Sequence, residues 1–460
     1  MKDNATAKIA RFVAGTGLPS MPATALHAAK SSILNWFGLV LHAGQHPAVR
    51  IVRDWVRAQG GEGATAVGGL ATAPLWAALV NGLASHVEDY DDTHSATIIH
   101  PTGPVWSAVL AVAEQMDLSG AEALQAFVLG VDVECRVGEA VFPSHYDRGH
   151  HITATAGVLG AAAAVAKLLD LDRTQRLRSA DRTQRLRSAD WRRIEEALGL
   201  ASTMASGLRG TFGSMTKPFH PGKAAMEGII AAQLAAGGFT SGNTGLESPL
   251  GFCGVLADEH DITRLTEGLG QRWLIEENAI KPFACGVVAH AALWGVHRLR
   301  SGIPVDDVVR IDLWAHPRVG QLMGNPAPAT GLEGKFSIHH SVAACFLDGR
   351  AGPRQYTDER VQAPDARSLR ERVMLRLDGA LSLDEARVSL VLRNGEERAV
   401  HVRPGGGRDP MSDEALVDKV RDLLQDWPPE EVLALQANVL ALEEQPIVRG
   451  LAEYLAAAPF

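Results

Sequence analysis

The chain has 460 residues, 46% of them hydrophobic and 5% aromatic, and a formal net charge of −9. That length allows two or three domains with a sizeable core, and the negative balance argues against nucleic acid as a partner, because phosphate binding needs a basic surface. Four scattered cysteines (Cys135, Cys253, Cys285, Cys345) without a C-x-x-C pair argue against a disulfide framework, a structural zinc site or an iron–sulfur cluster.

Residues 1–60 read as helices, with apolar positions recurring at three- and four-residue steps. The opening MKDNATAKIARFVAG lacks the long apolar core of a signal peptide. The most apolar run, Gly157–Leu169, is short for a membrane span. A cytoplasmic protein with no membrane partner is expected. Ala-rich helices continue to Leu169, interrupted by NGLASHVEDYDDTHSATIIHPTGP at Asn81–Pro104 and by VFPSHYDRGHHITATAG. Residues 172–189 are a tandem repeat of DRTQRLRSA, polar and arginine-rich, as a solvated face would be. Beyond Asp261 the texture changes. VDDVVRIDLWAHP, RVMLRLDG and ARVSLVLRNGEERAVHV alternate as strands do, with Asn394-Gly395 as a hairpin turn. From Asp413 amphipathic helices return. The expected fold is mainly α: an all-helical unit over 1–263, an α+β unit over 264–403, and helices over 404–460 that pack back on the first unit.

Polar residues crowd into four stretches with apolar flanks. Asn81–Pro104 holds His86, Glu88, Asp89, Asp91, Asp92, Thr93, His94 and His100, a cluster too costly to bury unpaired. If its first half is helical, His86, Asp89 and Thr93 share one face. A divalent-metal site of Asp91, Asp92, His94 and His100 is one alternative, and helix caps in a hydrogen-bonded core are another. The second stretch is His145–His151. Its Arg148 is either a surface ion pair or a bidentate carboxylate partner. The third, Thr216–His220, overlaps a Pro/Gly-marked loop over Lys217–Gly222, and the fourth is Lys281–Cys285; their lysines precede apolar helices and are either solvent-facing or hold a substrate's carboxylates. No phosphate-binding G-x-x-x-x-G-K-[ST], no G-x-G-x-x-G after a strand and no G-x-S-x-G elbow occurs. What remains is proton chemistry by His, Asp and Lys on an anion.

Together the four stretches resemble the MmgE/PrpD family. Its pattern N-G-x-x-x-H-x-x-D-[FY]-D-D-T-H then H-P is met by Asn81, Gly82, His86, Asp89, Tyr90, Asp91, Asp92, Thr93, His94, His100 and Pro101. R-G-F-H-x-T-A-T is met by Arg148, Gly149, His150, His151, Thr153, Ala154 and Thr155, with histidine in place of the aromatic. T-K-x-x-H-x-G-x-A-A is met by Thr216, Lys217, His220, Gly222, Ala224 and Ala225, and K-x-[FY]-P by Lys281, Phe283 and, in place of proline, Ala284. The family includes 2-methylcitrate dehydratase, cis-aconitate decarboxylase and iminodisuccinate epimerase. The resemblance implies a large all-helical domain built from both chain ends, a smaller α+β lid, a homodimer, and chemistry on a di- or tricarboxylate without metal or cofactor.

It further implies that His100, His151, Asp89, Lys217 and Lys281 are catalytic and that Thr93, Arg148, Asp92, His94, His220 and His340 bind substrate. Decarboxylase-like members carry a histidine five residues beyond the second lysine, where this chain has Gly286. Many members have F-S-x-x-Y where this chain has Phe336–His340. These departures imply a re-cut pocket. The leading expectation is a lyase that dehydrates a 2-methylcitrate-type hydroxy acid. The alternatives are an epimerase or isomerase of an α-substituted dicarboxylate, a cis-aconitate-type decarboxylase, or a protein that only binds anions.

Overall fold

The computed structural model describes residues 4–180, 191–403 and 411–457. It is mainly α-helical. The larger of two hydrophobic clusters runs from Ile9 to Ile275 and takes in Leu416, Val420, Leu423, Leu435, Val439 and Leu455 from the C-terminal helices. It also contains Leu265, Trp273, Leu274 and Ile275, which the change of texture near residue 264 would assign to the smaller unit. The second cluster gathers residues 283–402 around a four-stranded sheet. In that sheet Val308–Ala315 lies between Val373–Leu377, its parallel neighbour, and Ala386–Leu392, its antiparallel one, and Glu397–Val402 forms an edge. The expected Asn394-Gly395 turn joins the last two strands, with Gly395 at φ 84°, the left-handed conformation that glycine adopts freely.

In the larger cluster, helix Thr216–Ala236 packs against both Pro74–His86 and Ile152–Ala180. Small residues let these backbones approach. A Cβ on Gly82 would lie 2.6 Å from the Cα of Gly222, and one on Gly222 would lie 2.2 Å from the Leu79 carbonyl oxygen. The contact brings the last residue of one helix, His86, to the first turn of the other, which holds Lys217. Helix Thr216–Ala236 therefore begins earlier than the expected loop over Lys217–Gly222. Pro218 stands in its first turn, where a missing N–H leaves no bond unmade.

Ile152–Leu169 is long and apolar enough to cross a membrane, which corrects the reading of Gly157–Leu169 as too short, but 94% of it is buried inside the protein. The first copy of the nonapeptide, 172–180, ends this helix. The second copy, 181–189, lies outside the described residues.

The expected shared face of His86, Asp89 and Thr93 is not formed. The helix ends at His86, Asp89 takes a left-handed φ of 50°, and Asp92–His94 is a short strand. That strand pairs antiparallel with Asn278–Ile280, Thr93 opposite Ala279. It joins the polar cluster to the segment that leads through Lys281 into the second hydrophobic cluster at Phe283.

A bulky side chain at the helix crossing must push the two backbones apart. Gly82→Val is expected to lower stability by about 1–3 kcal/mol in denaturant unfolding and to lower any activity that needs Lys217 beside His86. Unchanged unfolding would show that the crossing tolerates a wider spacing.

Candidate active site

The helix crossing and the strand pair deliver two lysines to one carboxylate. Lys217 Nζ donates to Asp89 Oδ1 at 2.7 Å, and Lys281 Nζ donates to the same oxygen at 2.8 Å and to the Asp89 carbonyl at 3.2 Å. Lys217 also donates to His86 Nε2 at 2.9 Å, and His86 Nδ1 donates to Asp91 Oδ2 at 2.6 Å. His86 is thus held as the neutral Nδ1–H tautomer, assigned from its partners.

His100 is fixed in the same way. Its Nδ1 lies 2.9 Å from the Asp92 carbonyl and 3.1 Å from Thr93 Oγ1. A carbonyl only accepts, so Nδ1 carries the proton and Nε2 keeps a lone pair. His151 lies across a face of His86, ring centroids 6.0 Å apart, and shares a 2.8 Å Nδ1–Nδ1 hydrogen bond with His220. Asp89, His100, His151, Lys217 and Lys281 all line one cavity of about 40 Å³, with Tyr146, Phe212, Phe336, Gly286 and Met323. The Lys217 ammonium sits 5.5 Å from the Phe212 ring centroid and 5.2 Å from that of Phe336.

The backbone that presents Asp89 is tied by further lysines. Lys335 Nζ donates to the Glu88 carbonyl at 2.8 Å and to the Glu88 carboxylate at 2.9 Å. Lys419 Nζ donates to the carbonyls of Tyr90 at 2.7 Å and Lys281 at 2.9 Å, 3.5 Å from the Tyr90 ring centroid.

Burial and these partners set the charges. Burial alone would raise the Asp89 carboxyl, but Lys217 and Lys281 hold it well below the usual carboxylate range. Asp91 is likewise held down, against burial, by His100, His86 and Lys281. Burial depresses the imidazoles of His86, His100 and His151 and keeps them neutral at pH 7. Burial also lowers Lys217, whereas Asp89 and Asp91 overcome burial and raise Lys281. The site therefore offers two ammonium groups, two carboxylates and neutral imidazole bases.

The remaining expected residues sit elsewhere. Arg148 does not reach the cavity. Its side chain is 41% exposed and pairs with Asp258 at 3.1 Å, the surface ion pair of the alternative reading. Asp92 turns away, accepting from Thr102 and Asn278 at 2.6 and 2.8 Å, and burial pushes its carboxyl up to about 7. His94 bonds Thr97 at 2.8 Å and approaches Glu277 at 3.6 Å. His340 is spent on the Gln355 carbonyl at 2.8 Å. Thr93 and His220 touch the cavity's histidines from behind.

Among the described residues, Asp91, Asp92, His94 and His100 are not a set whose ligand atoms converge. The sets that do are His86, Asp89 and His100, and His94, Glu139 and Glu277. The first already holds two ammonium groups and the second is bridged by Arg272, so neither donor set fits a cation. His86 and Asp91 stood in the expected cluster without a role in proton transfer, and Phe212, Lys335 and Lys419 were missing from it. The last two had one signal, the scarcity of lysine, of which the chain has only nine.

Neutral burial of imidazoles ties stability to pH. An unfolded histidine takes up a proton below about 6.5 that its folded counterpart refuses. Stability present above that pH is then lost as it falls, by about 1.4 kcal/mol per pH unit for each such histidine. Melting temperature is expected to drop between pH 7.5 and 5.5, against an opposite contribution from Asp92, whose raised carboxyl takes up a proton in the folded state, and to drop less steeply in His100→Gln; equal slopes in the two proteins would contradict the neutral assignment of His100. Lys419→Met leaves two buried carbonyls without their lysine donor, at a cost of about 1–3 kcal/mol. A lower unfolding free energy together with a reduced kcat is expected; wild-type values for both would remove Lys419 from support of the site.

Comparison with known proteins places the chain among relatives. The MmgE/PrpD N-terminal domain model matches residues 7–180 and 179–265, and the C-terminal domain model matches 283–443. The first two segments meet where one repeat copy gives way to the next. Human cis-aconitate decarboxylase is 28% identical over 403 residues, 82% of this chain and 79% of the human protein. The mouse enzyme is 30% identical over 373 residues, 76% and 71% of the two chains. Cis-aconitate decarboxylase of Aspergillus terreus is 24% identical over 491 residues, 99% and 96% of the two chains. From the order of its motifs, its two matched domains and its full-length relatives, this chain is an enzyme of the MmgE/PrpD family.

Proposed function

We propose that this enzyme is a lyase acting on a di- or tricarboxylate by proton transfer at the carbon next to a carboxylate, eliminating water from a 2-methylcitrate-type hydroxy acid. The observation that carries the reading is His100. Its Nδ1 is pinned by a carbonyl, which leaves Nε2 as a base in a cavity walled by two ammonium groups. Substrate carboxylates lie on Lys217 and Lys281, and Nε2 takes the α-proton. The electron pair of the broken C–H bond moves toward the carboxylate, where fixed cations stabilise it most in a closed site. It then forms the alkene as the C–O bond breaks. Lys217, made a better acid by burial, gives the departing hydroxyl its proton, and water leaves.

A second reading, decarboxylation, is favoured by the relatives, which are cis-aconitate decarboxylases. There CO₂ departs and a site group protonates the carbon left behind. Against it stands Gly286, where decarboxylase-like members have histidine. A Cβ at that position would lie 2.8 Å from Met323 Sδ, so methionine fills the space of that side chain.

Proton NMR in D₂O with 2-methylcitrate, citrate, cis-aconitate and iminodisuccinate separates the outcomes. An alkene from a hydroxy acid supports dehydration, release of CO₂ supports the second reading, and deuterium entering the α-carbon without loss of a group moves the assignment to epimerisation. His100→Gln is expected to lower kcat by about 10²–10⁴-fold while ligand binding survives, and Lys281→Ala to raise KM. Full turnover in His100→Gln would overturn the role given to that base.

A further inference from the structure

Beside the catalytic cavity lies a second space of about 440 Å³, against about 40 Å³ among the catalytic groups. Lys281, Ile98, Val287 and Val288 border both. Thr93, whose hydroxyl touches His100 Nδ1, also lines the larger space. The smaller space has the room of about one water molecule, enough for a reacting group and too little for a whole tricarboxylate. The larger is of the size that small-molecule sites have. Its walls include Ala291, Trp294, Leu383 and Met411, and its charged residues besides Lys281 are Arg298 and Asp384, of opposite sign. Such a lining suits a neutral, apolar group better than a further carboxylate.

We propose that the substrate carries an apolar substituent of several carbons on the carbon next to the carboxylate held by Lys281, and that this chamber receives it. A carboxylate on the Lys281 ammonium places its α-carbon at the border of the two spaces, within reach of His100 on one side and of the chamber on the other. The inference rests on the reading of the site as a carboxylate lyase and narrows its substrate class from methyl-substituted to longer-chain acids.

The test is kcat/KM of the full-length enzyme for citrates bearing a 2-methyl, 2-propyl, 2-butyl or 2-hexyl group, with the corresponding alkylsuccinates as non-reacting binding probes in calorimetry. Each buried methylene is expected to raise kcat/KM and alkylsuccinate affinity about fourfold. Ala291→Phe, which projects a ring into the chamber, is expected to cut the hexyl-to-methyl ratio at least tenfold. Ala415→Phe, at an exposed position on another wall, should cut it in the same direction and guards against a folding defect in the first variant. Turnover of the methyl compound with no gain from longer chains would overturn the chamber as a substrate site and leave the lyase reading standing, as would a chain-length gain that neither variant reduces. No turnover of any citrate and no binding of any alkylsuccinate would overturn both.

Discussion

One carboxylate oxygen, Asp89 Oδ1, receives two ammonium groups that come from positions 128 and 192 residues away along the chain. A buried carboxylate without partners would be expensive, and so would either buried lysine. With Asp91, 3.6 Å from Lys281, they make two charges of each sign that offset one another's desolvation, and none can be withdrawn without leaving an uncompensated charge. Around this junction Lys335 and Lys419 close the carbonyls of Glu88 and Tyr90, so four of the chain's nine lysines converge on three consecutive residues. That convergence steadies Asp89 in a left-handed conformation that residues other than glycine rarely adopt.

The rest of the architecture serves this junction from two directions. The Gly82–Gly222 crossing brings Lys217 to it along a helix, and the pairing of Asp92–His94 with Asn278–Ile280 brings Lys281 along a strand. Burial keeps the intervening imidazoles neutral, and the neighbouring ammonium groups push in the same direction. His100, with Nδ1 committed to the Asp92 carbonyl, is prepared as a base before any ligand arrives. The geometry needs no rearrangement of protons to begin.

Local pattern made much of this legible. Helical periodicity, the strand over Val308–Ala315 and the Asn394-Gly395 hairpin follow from residue order alone, and His100, His151, Asp89, Lys217 and Lys281 meet in one cavity as their motifs suggested. Spacing misled where a helix stopped about two turns early: at three and seven residues from His86, Asp89 and Thr93 look helical only if the helix continues. Arg148 could be read either as a surface ion pair or as a substrate ligand, because a guanidinium is the preferred bidentate partner of a carboxylate, and what decides is Asp258, 110 residues away and invisible to any local window. Lys335 and Lys419 were missed for the same reason. Lys419 lies in an amphipathic helix where a lysine ordinarily faces solvent, and only tertiary packing turns it inward.

The reach of Lys419 has a consequence for the order in which the protein is made. Its ammonium bridges Tyr90 and Lys281, the first of them 329 residues earlier in the chain. A ribosome therefore exposes the acidic loop and both carboxylate-binding lysines well before the residue that fastens their backbones together. Until that helix emerges, the nascent chain holds unmatched polar groups in a half-built interior, and closing a loop of such length is slow. Helix Asp413–Leu423 acts as a late clasp, and the backbones of Tyr90 and Lys281 are fastened together only once Lys419 has been made.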